Sequence, residues 1–397
     1  MATHCLSDEC ILPADYTCRA YQRGCQCPNL EPDPDIAGIG VVFSFVVVGT
    51  ISLIIFLVCM FLSLINTTSL NPADRWLREL VTRFMSHRIE DKKKELWVTA
   101  LTNVLVGLSD QQLITCLAIL LIATIKMAYG EFSVYHFSIC VDLAWFSLGV
   151  HTITLAVLSS RFRRRVKFPQ RANTLGHQTD LKDNGRIREG PLPIMTGLRL
   201  LLMGFCGILM IFCLVIQGYE YWWDVFGCPV DCVRRDLGGR YGGISGAWST
   251  AMIVMLLITL PAAMMNLTNR GVDFSKDLRF TYMRRLHDAL KPNAQSRPTS
   301  AKLYDGLVAI PRCSWWWFNS ILVSTLLNII WFGIGINTLY VDRAHGHEII
   351  RDQGTKNEEL EWGFGQIVPL VFCVLPFIAA GEAFWGKFMS LDIPITR

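Results

Sequence analysis

Residues 38–65 read GIGVVFSFVVVGTISLIIFLVCMFLSLI, 28 positions without a charged side chain. A helix rising about 1.5 Å per residue needs roughly 20 apolar residues to cross about 30 Å of hydrocarbon, so this stretch is long enough to span a bilayer. Further stretches of similar length and largely apolar character lie at 98–127, 138–158, 195–217, 244–267, 314–341 and 363–385. The sequence therefore predicts an all-α integral membrane protein: a seven-helix bundle over 38–397, preceded by a cysteine-rich tail at 1–37. With 52% hydrophobic and 18% charged residues, a soluble chain of 397 residues would suggest two or three domains, but the hydropathy pattern overrides that count.

Of the 37 Lys and Arg residues, 27 fall after spans one, three, five and seven, against 8 in the tail and the other gaps. The positive-inside rule then places the N-terminus outside and the C-terminus in the cytosol, in the endoplasmic reticulum or the plasma membrane. The run Arg161, Arg163, Arg164, Arg165 and Lys167 is read first as a topology signal and secondly as a surface for anionic lipids. Nucleic acid is not an expected partner there. Trp76, Leu77, Leu80, Val81, Phe84 and Ile89 recur among basic residues at the spacing of an amphipathic helix lying on the inner surface. Residues 1–34 hold no apolar core of a signal sequence, so span one is expected to carry the tail across.

Cys5, Cys10, Cys18, Cys25 and Cys27 in the tail, with Cys228 and Cys232 after span four, make seven thiols on the outer side. An oxidising compartment predicts disulfides among them, with one left over and the connectivity open. The spacing Cys25-Gln26-Cys27 is not that of a zinc knuckle, and no metal or other cofactor is expected.

Charged groups within spans are costly and therefore candidates for function. Asp110 sits in Gly107-Leu108-Ser109-Asp110-Gln111-Gln112, where Asp110 and the two glutamines after it are three consecutive polar side chains that need partners or water. It has two readings: an acid in a polar pocket, or part of a capping box, Ser109 with Gln112, at which a crossing helix starts anew. Asp142 shares a helical face with Trp145, Phe146 and Gly149, and the loop leading to it carries Tyr129, Glu131, Tyr135 and His136. This reads either as a carboxylate, aromatic and histidine constellation at the outer rim or as an interfacial aromatic belt. His151 lies on the opposite face from Asp142, as an interhelical hydrogen-bonding group. Pro261, Pro369 and Pro376 are expected to kink spans five and seven.

The chain has no GxxxxGK[ST], HExxH, GxSxG, DDxxD or NDxxD, which disfavours the enzyme classes those motifs serve. Span three ends in Ser159-Ser160-Arg161-Phe162-Arg163 rather than Asp-Arg-Tyr, so a rhodopsin-like receptor has no residue-level support.

Four stretches carry a resemblance: Asp33-Pro34-Asp35-Ile36-Ala37-Gly38-Ile39-Gly40-Val41, Gly107 to Leu113, Tyr135-His136-Phe137 running to Asp142-Leu143-Ala144-Trp145-Phe146 and His151, and Trp362-Gly363-Phe364-Gly365-Gln366. They resemble a large family of fungal multi-pass membrane proteins, which is similar in turn to the membrane-bound terpene cyclases of ascochlorin- and macrophorin-type meroterpenoid pathways. That resemblance implies cyclisation of a neutral prenylated substrate, begun by protonating an epoxide or olefin. Asp142 departs from it, standing where the stretch commonly has an uncharged residue. Such a reaction needs a buried acid and aromatic faces for cations. Asp110 or Asp142 is then the proton donor and His136 or Glu131 a further acid–base group. Gln111, Gln112, Tyr129, Tyr135, Trp145 and Phe146 would line a pocket for a hydrophobic small molecule. The alternative is a non-catalytic sensor that reads a ligand through its cysteine-rich tail.

The predicted topology has a direct check. In vesicles sealed with the cytosolic face outward, added protease should remove a C-terminal tag and spare an N-terminal one, whereas both tags on one side would overturn the odd number of crossings.

Overall fold

The computed structural model describes residues 30–64, 91–130, 132–167, 194–220, 240–265, 321–352 and 358–391, with a few positions between them. These form α1 (Pro34–Ala37), α2 (Ile39–Leu64), α3 (Asp91–Tyr129), α4 (Val134–Lys167), α5 (Ile194–Gln217), α6 (Gly243–Met265), α7 (Ile321–Asp352), a single 3₁₀ turn (Glu358–Leu360), α8 (Phe364–Phe372) and α9 (Leu375–Leu391). Among the described residues five stretches are long and apolar enough to cross a membrane: Pro34–Leu62, Glu95–Tyr129, Val134–Leu158, Met195–Gln217 and Gly243–Pro261. The protein is thus an all-helical membrane protein. The tail cysteines and most of the predicted amphipathic segment lie outside the described residues.

α4 is the spine. Its apolar window is 89% buried, because α2, α3, α5, α6 and α7 pack around it. This explains why apolar side chains occur on every face of its buried part. The first turn is fully capped: Val134 N–H donates to Cys228 O (2.9 Å), Tyr135 N–H to Phe226 O (2.9 Å), and His136 N–H to the Ser133 hydroxyl (3.2 Å). Gly130 ends α3 with φ 77°, a left-handed value that favours glycine and lets the chain turn into α4 within four residues.

Two interlocks fix the registers around α4. Trp145 stacks on Trp331 of α7, with ring centroids 3.9 Å apart and planes 6° from parallel. Each indole N–H donates to the other's backbone carbonyl at 3.2 Å. Gly149 and Gly335, each four residues along from one of the tryptophans, leave room for the opposing ring. The facing pairs Trp145/Gly335, Gly149/Trp331 and Thr152/Asn328 keep a constant sum of residue numbers, as antiparallel helices in one register must. On the α3 side Ser109 meets His151 (2.6 Å), Gln112 meets Ser147 (2.9 Å) and the Cys116 thiol meets the Ala144 carbonyl (3.8 Å), again with a nearly constant sum.

Two expectations are corrected. α3 runs unbroken through Ser109 and Asp110, so no helix starts there; the Ser109 hydroxyl bonds His151 rather than a backbone N–H. The predicted span at 363–385 is two helices, α8 and α9, of about 14 and 26 Å, parted at Cys373–Val374. Pro376 cannot donate to the carbonyl of Phe372, and Pro369 interrupts the preceding turn. Within the stretch predicted as the sixth span, the described part is helical but carries α7 on to Asp352, well past Val341.

The quoted sequence motifs meet in space. Gln366 lies against the entry to α2, its side-chain oxygen accepting from Gly40 N–H at 3.0 Å. A Cβ on Gly40 would come within 2.6 Å of the Gln366 backbone oxygen, so the close approach requires glycine.

Gly149→Val would push a side chain into the Trp331 ring, whose edge lies 2.9 Å from where a Cβ would sit, at an overpacking cost of about 1–3 kcal/mol. Gly333→Val, in open space two residues from Gly335, should cost less. Thermal unfolding of the detergent-solubilised chain should show a clearly lower midpoint for Gly149→Val than for Gly333→Val.

Candidate functional site

The α4–α7 register has a chemical consequence. Continuing outward from Trp145/Gly335, it sets Asp142 opposite Thr338 and Ser138 opposite Asp342, and each hydroxyl lies within hydrogen-bonding reach of the facing carboxylate. Ser138 is held from a third side, accepting from Trp222 Nε1–H at 3.0 Å and Gln217 Nε2–H at 3.4 Å. Asp142 and Asp342 interact electrostatically and line one cavity bounded by α4, α5, α6, α7 and the loop after α5. Trp145, Trp222, Trp223 and Trp248 provide its aromatic walls, and Ser245 and Ser249 of α6 also line it. Its free volume is about 20 Å³, room for one water molecule.

Three buried oxygens around this space have no hydrogen-bond partner: Asp142 Oδ2, Asp342 Oδ1 and Ser245 Oγ. Buried polar atoms are ordinarily satisfied, so three orphans on one cavity mark a place built to receive something. α4 starts at Val134, so Asp142 is eight residues and about 12 Å down the helix, deeper than the sequence suggests.

Toward the end of the bundle bearing the α3–α4 turn lies a second cluster. Glu359, with no exposed surface, accepts from Tyr135 Oη–H (2.7 Å), His347 Nε2 (3.0 Å), His136 Nε2 (3.1 Å) and Asp33 N–H (3.1 Å). Both ring nitrogens of His136 are engaged, since Nδ1 meets the Ser133 hydroxyl at 2.8 Å. Burial opposes ionisation of Glu359, but the hydrogen bonds from His136, His347 and Tyr135 outweigh it and hold the carboxyl down to about 2. One buried anion thereby ties together α1, α4, α7 and the 3₁₀ turn. Lys126 pairs with Asp33 beside it, at 3.1 Å.

The candidate residues therefore separate. Asp142 and Trp145 line the cavity. Tyr135 and His136 belong to the Glu359 cluster. Asp110 forms a bidentate pair with Arg199 of α5, both contacts at 2.6 Å, with the two side chains 39% and 38% exposed, so it is not the buried acid. Gln112 bonds Ser147, Gln111 bonds Cys373, and Phe146 meets Phe332 edge-on at 5.5 Å. Tyr129 is 78% exposed and does not line this cavity. Glu131 lies outside the described residues. Sequence reasoning missed Asp342, Glu359, His347 and Arg199. Two of these left a signal: Arg199 is a charge inside the predicted span 195–217, and Asp342 is an acid directly abutting the predicted sixth span.

No protein-family profile and no solved structure matches the chain. It is similar to the elsinochromes biosynthesis cluster protein HP3 of Elsinoe fawcettii, with 31% identity over 134 residues, 34% of this chain. The chain spans about half the length of that curated relative, 49%.

Glu359→Gln tests the hub. An amide cannot accept from all four donors, so the variant should be less stable at neutral pH by roughly 3 kcal/mol. A depressed carboxyl stabilises above its ordinary value of 4.5, and this contribution is lost as pH falls toward about 2. The difference in unfolding midpoint between wild type and variant should accordingly shrink over that range.

Proposed function

We propose that the cavity between α4, α5, α6 and α7 is the active site of a proton-initiated cyclase acting on a neutral prenylated substrate. The observation that carries this reading is the pairing of two buried carboxylates, each with an unpartnered oxygen, inside walls of four tryptophans. Two carboxylates in one low-dielectric space resist carrying two charges, and in this reading one of them serves as the acid. Protonation of an epoxide oxygen or an olefin by that acid would open a cation, and the tryptophan faces would stabilise it as the ring closes. The second carboxylate is placed to take up the proton lost at termination. A relative named for a biosynthesis cluster agrees with an enzyme of secondary metabolism.

The cavity is narrow, with room for one water molecule, so a prenyl chain must part the walls. α6 packs chiefly on α5, with fewer contacts to α4, and the way in would lie between α6 and α7, past the half-exposed Trp248. We read α7 and the broken α8–α9 pair as the sixth and seventh crossings, with the N-terminus outside. The same tightness favours the second reading, a non-catalytic sensor, since a volume fit for one water suits a small ligand better than a prenyl chain.

Expression with an epoxidised farnesyl-phenol, followed by mass spectrometry and NMR of the products, should yield a cyclised isomer. Asp142→Asn and Asp342→Asn keep size but remove the transferable proton. At normal protein level each should lower product by about 10² to 10⁴, the usual worth of general acid catalysis. No isomer from several prenylated substrates, or full turnover by both variants, would leave the sensor reading in its place.

A further inference from the structure

We propose that, in the absence of substrate, the Asp142–Asp342 cavity binds one monovalent metal cation of about the size of sodium. This concerns the resting state of the same cavity and does not need the cyclase reading to hold. Buried charge must be compensated by a partner, a proton or an ion. Among the described residues no Lys or Arg side chain lines this cavity, and the groups within reach of the two carboxylates are the hydroxyls of Ser138 and Thr338. The acidic pair alone would not define a site. The independent observation is Ser245 Oγ, on a third helix, 2% exposed as a residue, without a hydrogen-bond partner and lining the same space.

The three orphan atoms are all oxygens, the ligand type of hard cations rather than of zinc or copper. Size and ligand number then discriminate. The space takes one water-sized sphere, which excludes magnesium with the several waters it retains. Calcium takes 6–8 oxygens, more than two carboxylates and one serine readily provide here. A bare monovalent cation fits the volume, and together with one proton it neutralises both carboxylates. Trp145, Trp222 and Trp248 add aromatic faces to which a cation is attracted. Substrate entering between α6 and α7 would displace the ion, so sodium and substrate would compete.

The test uses the purified full chain in detergent, without substrate. Radioactive sodium should bind saturably at about one ion per chain, and sodium chloride should raise the unfolding midpoint above that in choline chloride at equal ionic strength, as mass action on a native-state site requires. Ser245→Ala should weaken sodium binding several-fold while leaving the protein folded, and Asp142→Asn and Asp342→Asn should abolish it. Absence of saturable binding in the wild type overturns the proposal, and so does unchanged binding in all three variants. Because no turnover is measured, failure here leaves the cyclase reading standing, and failure to cyclise leaves this one.

Discussion

The exchange of hydrogen bonds between Trp145 and Trp331 is the constraint on which the arrangement around the cavity depends. An indole N–H buried among helices must find an acceptor, and each finds the other helix's backbone carbonyl only if the two helices approach closely and in one register. Gly149 and Gly335 permit the approach, and the stacked rings fill the space it creates. Once that register is fixed, the positions of Thr338 against Asp142 and of Asp342 against Ser138 follow from helix geometry alone.

The Glu359 hub does for the adjacent end of the bundle what the tryptophan pair does for its middle. A carboxylate with no exposed surface is tolerable because four donors from three separate parts of the chain converge on it. It holds the α7–α8 connection over the start of α4, and thereby holds the part of α7 that carries Asp342. The two polar clusters differ in kind: Glu359 is saturated with donors, whereas Asp142 and Asp342 each keep an oxygen unpartnered. That contrast separates a structural anion from a pair available to a ligand.

Much of the architecture was legible residue by residue. The span at 38–65 corresponds to α2, and those at 195–217 and 244–267 to α5 and α6 within a few residues. In 363–385 the prolines Pro369 and Pro376 marked a kink, but the sequence did not show that the kink becomes a break into α8 and α9 at Cys373–Val374. Asp110 misled for a related reason: an acid within an apolar run looks buried until Arg199, 89 residues away, is brought against it with both groups partly exposed. Asp142 was recognisable as a candidate from its helical face with Trp145, but its partner was not.

By itself the sequence determined the helical membrane character, the positions of most apolar helices and the aromatic face on which Asp142 sits, because these depend on composition and period along one stretch of chain. Tertiary structure alone decided that Asp342, rather than Asp110 or His136, shares a cavity with Asp142, and that Glu359 collects Tyr135, His136 and His347. Those choices rest on interhelical register, which a reciprocal bond between residues 186 positions apart fixes and which no local pattern records.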